Sequence, residues 1–415
     1  MRNIRLIIVL AVVYIDMLGI GLAYPILPRL VQQFEHGNVS NASYVVGFLA
    51  SGYSLMQFIF APLIGALSDR YERRPVILLS LGGAGTAYLL LAVAPSLIWL
   101  AAARLVAGAM GGSFSTAGAY IADITPPEKR AQNFGLIGAA FGFGFITGPV
   151  IGGLLGAINL HLPFLVAACL CMANLTFGFF ALPESLRAEN RKPFAFRHAN
   201  PVGALREVWR YPSVFSLMMI FVLAMFANRV AEVTWVLYAG YRFHWSPTQI
   251  GLSLAIVGVI FVVGQGWFTR ILIPRIGERR AILIGLGVSI VVSVLYGAVN
   301  KGWMMYCVMP LAISNWTVAQ PAVQGLMSRA VPANEQGLLQ GAVSSITSLT
   351  SIAGPPIWTG LFGYFVSDAA PLIIPGAAFF VSAAVFFVAL ILAIVWETGT
   401  PSEAVPAQPS QQLHA

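Results

Sequence analysis

GALSDRYERRP, Gly65 to Pro75, lies between two apolar runs and joins a helix end of small residues to one acid, Asp69, and three arginines, Arg70, Arg73 and Arg74. Short loops kept on the cytoplasmic side of a membrane carry the Lys and Arg excess, so a basic loop between two spans fixes orientation. Composition agrees with a membrane protein. Hydrophobic residues make up 58% of the 415 and the mean hydropathy is +0.81. Charged residues make up 9%, against about 25% in a soluble domain, too few to cover a water-soluble surface. The net charge of +8 is scattered among short loops instead of gathered on one solvated face, which argues against a nucleic-acid partner.

Runs of about 20 apolar residues cross a bilayer, and the chain has twelve, near 5–28, 44–68, 75–95, 97–123, 132–157, 162–182, 213–239, 247–272, 280–299, 302–328, 337–365 and 369–396. Eighteen of the 23 basic residues fall at the N-terminus or in the even-numbered loops, which predicts that both termini are cytoplasmic. The apolar stretch from Arg5 to Pro28 is too long for the core of a cleaved leader and reads as a retained first span. Cys169 and Cys171 are about 200° apart around a helix, and Cys307 lies in another run, so neither a disulfide framework nor a metal site is expected. Two Asn-x-Ser triplets, at Asn38 and Asn41, lie in the first outer loop.

The longest polar stretch follows span six and divides the spans into two sets of six. The expected organisation is a six-helix bundle over 1–182, a cytoplasmic linker over 183–212, a second bundle over 213–397 and a disordered tail over 398–415. An internal repeat joins the halves. RYERRPVILL at 70–79 returns as RIGERRAILI at 275–284, and GPVIGG at Gly148 returns as GPPIWTG at Gly354, at nearly equal offsets. Parallel halves of this kind are a transporter architecture, with the substrate held between them near the midplane.

The loop at Gly65–Pro75 resembles the signature loop between helices 2 and 3 of the major facilitator superfamily. DMLGIGLAYPILP at 16–28, RLVAG at 104–108 and GFGFITGPVIGG at 142–153 resemble motifs of its drug:proton antiporter branch. YIADITP at 120–126, WVLYAGYRFHW at 235–245 and LLQGAVSSITSLTSIAGP at 338–355 are similar to the tetracycline efflux pumps. The resemblance implies an all-α fold of twelve transmembrane helices in two pseudo-symmetric six-helix bundles, alternating access, and energy from a proton gradient without a cofactor. It implies a gating role for Gly65, Asp69, Arg70, Arg73 and Arg74, with Asp69 docking on the cytoplasmic half of the other bundle to hold the outward-facing state, and a packing role for Gly144, Gly148, Pro149, Gly152 and Gly153 in span five. In three places the sequence departs from those pumps. They carry an acid in span three, a histidine in span eight and an acid in span nine, where this chain has Ala87, Phe261 and Ser289, so recognition of a tetracycline–metal chelate through those groups is not implied. Glu72 stands where the family's loop has a glycine.

A charge within a span costs several kcal/mol unless paired or hydrated, so intramembrane charges are functional candidates. Asp16 lies about 17 Å along span one, near mid-bilayer. Arg104 matches the family arginine that biases a nearby acid's protonation, and the resemblance implies adjacent spans one and four that let it reach Asp16. Arg229 and Glu232, three apart on span seven, share a helix face and can pair; the pumps have an amide at the arginine's position. Polar and aromatic groups near mid-span nominate Tyr53, Gln57, Phe261, Gln265, Asn315, Trp316 and Gln320 for a mostly apolar cargo cavity.

These features predict a proton-coupled antiporter exporting a small hydrophobic or amphiphilic compound, a monomer of a bacterial inner membrane, with the cargo, protons and lipid as its partners. A metabolite uniporter or symporter of the same fold is the transport alternative. A membrane receptor or an enzyme is the alternative from another class, but there is no nucleophile motif, phosphate loop or His-rich cluster.

Overall fold

A computed structural model describes residues 2–111, 113–186, 189, 191, 212–265, 269–312, 318–332 and 335–399. Most of the expected linker, the expected tail beyond residue 399, and Asn315 and Trp316 lie outside the described residues. Among those described there is no β-strand. Backbone groups in lipid find partners only within helices or closed barrels, and this chain takes the helical solution.

The spans appear in the expected order. Span one is Arg2–Ala23, continued after a break by Leu27–Phe34, and spans two and three are Val39–Tyr71 and Arg73–Ala92. Span four is Leu97–Ala109 with Ser113–Ile124, span five Pro127–Ile158 and span six Leu162–Ala181. Span seven is Pro212–Phe243, span eight Pro247–Val263 with Thr269–Ile276, and span nine Glu278–Ala298. Span ten is Gly302–Val308 with Gln320–Arg329, span eleven Gln336–Phe365 and span twelve Ala377–Gly399. Among the described residues eight helical stretches are long and apolar enough to cross a membrane. Spans four, eight and ten are broken into shorter pieces, and span eleven is long but rich in serine and threonine.

Several boundaries differ from expectation, three of them with a clear local cause. Span one breaks at Tyr24–Ile26, where Pro25 removes a backbone donor and Pro28 starts the second helix. Span two begins at Val39 because the Asn38 side chain caps it, its Oδ1 accepting from the Asn41 amide at 3.0 Å. Span twelve begins at Ala377 because Pro371, Pro375 and Gly376 interrupt the apolar run before it.

Within the first bundle, span one packs on spans five and six, span two on four, and span three on six; in the second, span seven packs on eleven and twelve and span nine on twelve. Spans two and eleven, and spans five and eight, meet across the bundles. The glycines of span five make two close seams possible, one within the first bundle and one across the bundles. A methyl group on Gly148 would fall 2.6 Å from Gly21 Cα, and one on Gly152 would fall 2.4 Å from the Leu22 carbonyl, so this face lies backbone to backbone on span one. Gly153 turns the other way, toward Pro247 and Gly251 of span eight.

Core packing is asymmetric along the membrane normal. In the half remote from the termini one apolar core runs through both bundles, from Leu22, Leu30 and Val46 to Trp235, Tyr238 and Trp358. Nearer the termini it divides into one core around Val12, Leu81 and Tyr120 and another around Phe221, Leu286 and Leu339. On the bundle-facing spans of that half, a methyl group added at Gly65, Gly135, Gly138 or Gly337 would meet nothing within 4 Å. The bundles are therefore sealed at one end and parted at the other. Gly148→Ala should lower stability by about 1–3 kcal/mol, the usual cost of overpacking, whereas Gly65→Ala should stay within about 0.5 kcal/mol of the parent. Thermal unfolding in detergent checks both, and equal melting points for the two variants would contradict the seam.

Candidate functional site

At the parted end, the loop between spans two and three is organised by Arg73, a guanidinium only 9% exposed. Its Nη1 donates to Ser68 Oγ at 2.9 Å and to Asp69, and its Nε donates to Asp123 Oδ2 at 3.2 Å. Arg73 thus ties the end of span two to the end of span four. Arg74 donates to the Phe179 carbonyl and lies over the Phe179 ring, while Arg70 lies over Tyr71. Asp69, expected to dock on the opposite bundle, is paired within its own, in keeping with the parted cores around it.

Sequence reasoning missed two acids here. Asp123 lay inside the YIADITP phrase. Glu184 follows span six, where the end of an apolar run gave no signal. Its carboxylate accepts from the Arg73 and Arg74 amides at 3.0 and 3.1 Å, and from the Ser185 and Leu186 amides at 2.9 Å. A carboxylate at the start of a helix satisfies free amides and complements the dipole.

The second half repeats the geometry. Glu72 precedes span three with φ 112 and ψ 149, and Gly277, 205 positions later, precedes span nine with φ 79 and ψ 154. Glu278, at the position of Arg73, pairs with Arg329 at the end of span ten, so the loop-to-span ion pair recurs with its polarity reversed. Glu72 pairs with Arg191. A non-glycine residue at such a φ costs on the order of 1–3 kcal/mol, and an exposed ion pair returns about 0–1 kcal/mol.

Deeper in the first bundle, Arg104 stands 4.2 Å from the centre of the Tyr53 ring. Gly108 makes room for this, because a methyl there would fall 2.3 Å from the Tyr53 carbonyl. Gln57 Nε2 donates to the Gly111 carbonyl at 3.4 Å. Asp16 is buried, 6% exposed, within electrostatic reach of Tyr53, Tyr88 and Cys171, and Arg104 is within reach of both tyrosines. Tyr53 and Tyr88 are thus shared electrostatic neighbours of both charges, and the Arg104 Nε has no acceptor. Tyr88, next to the substituted Ala87, was not anticipated.

The Arg229–Glu232 pair is formed as spacing predicted, with Arg229 Nη1 donating to both carboxylate oxygens at 2.7 and 2.6 Å. Arg229 Nη2 also donates to Ser351 Oγ of span eleven at 2.6 Å, and the Tyr24 hydroxyl of span one donates to the Glu232 carbonyl. This pair therefore sits at the junction of the two bundles. Four more side chains close the same half: Arg29 to the Trp245 carbonyl (2.6 Å), Ser40 to Gly363 (2.8 Å), Ser51 to Ile352 (2.6 Å) and Thr248 to Gly153 (3.4 Å).

Of the nominated cavity residues, Tyr53 and Gln57 are gathered beside Arg104, Gln320 donates to the Met225 sulfur, and Phe261 and Gln265 lie near the end of the first helix of span eight. Ala87 is buried, and Ser289 donates to the Gly285 carbonyl of its own helix, so neither replaces the missing acids. Among the described residues no cluster of His, Cys, Asp and Glu is placed to hold a metal ion.

The family model described as Major Facilitator Superfamily matches residues 8–355 and 234–415. The class C tetracycline resistance protein of Escherichia coli is 43% identical over 388 residues, covering 94% of this chain and 96% of that protein. The class G tetracycline resistance protein of Vibrio anguillarum is 38% identical, covering 86% and 90%. The crystal structure of the human organic anion transporter MFSD10 superposes with a TM-score of 0.68 at 25% identity, covering 94% of this chain and 99% of that one. With the repeated loop geometry, the paired bundles and a family match over both halves, the chain belongs to the major facilitator superfamily.

Proposed function

We propose that the protein is a proton-coupled antiporter that expels a small hydrophobic or amphiphilic drug-like compound by alternating access. The observation that carries this reading is the core that is continuous across the bundles at one end and divided at the other. Such a seam seals a central site from one side while leaving it open to the other. The tetracycline resistance relatives support drug export. The basic excess supports a cytoplasmic position for the termini, which makes the parted end the inward-facing mouth. The protein acts as a multi-pass monomer of a bacterial inner membrane, with lipid around it and no enzymatic step.

Asp16 is the proton-exchanging acid of this cycle. It is buried among ionisable neighbours, and Arg104, which shares Tyr53 and Tyr88 as electrostatic neighbours, supplies a positive field that a helix shift would strengthen or weaken. Glu232, paired with Arg229 at the bundle junction, is a second coupling group. Each proton moving inward supplies about 2.3 kcal/mol per 100 mV, and cargo binding must favour one orientation by a matching difference in affinity. The cargo differs from a tetracycline–metal chelate, because Ala87, Phe261 and Ser289 supply no acid or imidazole in spans three, eight and nine. An organic anion is a second candidate, favoured by the similarity to an organic anion transporter.

In a pump-deficient strain, expression should raise resistance to at least one amphiphilic drug while leaving tetracycline sensitivity nearly unchanged. Tetracycline resistance at the level of its pumps would overturn the cargo argument. Cargo added to purified protein in weakly buffered detergent should release protons, and Asp16→Asn should abolish the release; a full signal from that variant would exclude Asp16. Arg29 latches the sealed end through Trp245 and lies against Gly240, where a methyl would fall 2.4 Å from its Nη2. Arg29→Ala should therefore shift the protein toward the opposite opening, read as a several-fold rise in labelling of a cysteine placed on the sealed side.

A further inference from the structure

Glu72 is a residue whose backbone asks for glycine. At φ 112 it lies outside the small left-handed well that non-glycine residues tolerate, unlike His36 and His244 at φ 54. The other half shows what the loop geometry alone requires, since Gly277 takes the same turn. Helix capping does not account for the glutamate, because Glu72 makes no cap hydrogen bond and the amides that begin span three go to Glu184. Its carboxylate is spent on Arg191.

Arg191 follows span six, and Pro183, Glu184 and Ser185 just before it are bound to the loop and to the end of span four. The Tyr120 hydroxyl donates to the Pro183 carbonyl at 2.7 Å, Ser185 Oγ donates to Asp123 Oδ2 at 3.0 Å, and Glu184 caps span three. Asp123 and the amide of Arg73 thus serve both the loop and this segment. The Glu72 and Arg191 side chains are 34% and 40% exposed, so stability is a poor reason to keep a strained glutamate in the turn.

We propose that Glu72 and Arg191 are positioning residues for the transport cycle. Their ion pair straps the stretch after span six to the loop, and by holding the loop it favours the Asp69–Arg73 pairing of the state in which this end is parted. The strap makes Arg191 part of the gate. This rests on the reading of Gly65–Arg74 as a gating loop.

The test uses full-length protein in liposomes and follows proton counterflow driven by the amphiphilic drug to which expression confers resistance, alongside labelling of a cysteine at Gly337, which faces open space in this state. Glu72→Gly should keep or raise the melting temperature, since it relieves the backbone, yet lower the maximal transport rate by about fivefold with KM unchanged and slow the labelling. Arg191→Glu should do the same, and the double reversal Glu72→Arg with Arg191→Glu should restore both readouts. Wild-type transport by Glu72→Gly, or no restoration in the double variant, would overturn the strap. Asp69→Asn in the same assay separates the two ideas: impaired cycling there with normal Glu72→Gly removes the strap alone, whereas normal cycling by Asp69→Asn removes the gating loop and the strap with it.

Discussion

A buried guanidinium must be surrounded by acceptors, and Arg73 obtains them from two different spans. Ser68 and Asp69 come from the end of span two and Asp123 from the end of span four. Removing an acceptor from a charge so enclosed costs more than the interaction returns when intact. The chain leaving span six is drawn into the same knot, because Glu184 closes over the amides of Arg73 and Arg74. The parted end of the molecule is thus a cross-linked collar within the first bundle. The second bundle builds its own collar at Glu278 and Arg329, with the signs exchanged.

Between the bundles, chemistry changes with depth. On the sealed side the contacts are short hydrogen bonds from serine, threonine, tyrosine and arginine to backbone carbonyls, together with glycine seams. Bonds to carbonyls are modest individually and can be exchanged for water as the surfaces separate. The continuous core behind them supplies the greater part of the adhesion. A carrier that alternates between two openings needs such an interface, firm as a whole but with no single contact too strong to release.

Much of this was legible in the chain. Composition and run length gave the spans, because the bilayer tolerates only long apolar helices. The Gly-Pro order at Gly148 foretold close packing, and the spacing of Arg229 and Glu232 foretold their pair. What escaped was set by partners remote in sequence. Arg104 lies over the Tyr53 ring, a placement made by the packing of span two on span four. Glu184 looked like an ordinary loop acid until the folded chain set it against span three. The break at Tyr24–Ile26 was written in Pro25, but an apolar run conceals where its helix stops.

Span eleven carries a consequence for how the protein is made. With Ser344, Ser345, Thr347, Ser348, Thr350 and Ser351 in one run, this 30-residue helix is not apolar enough to qualify as a crossing by itself, unlike the eight that do. Its hydroxyls fold back onto carbonyls of their own helix, as in Ser345 to Gly341, Thr347 to Val343 and Ser351 to Thr347. That self-satisfaction lowers the cost of meeting lipid without abolishing it. A helix this polar enters the bilayer more favourably against neighbours already there, which ties the insertion of span eleven to the packing of the spans before it.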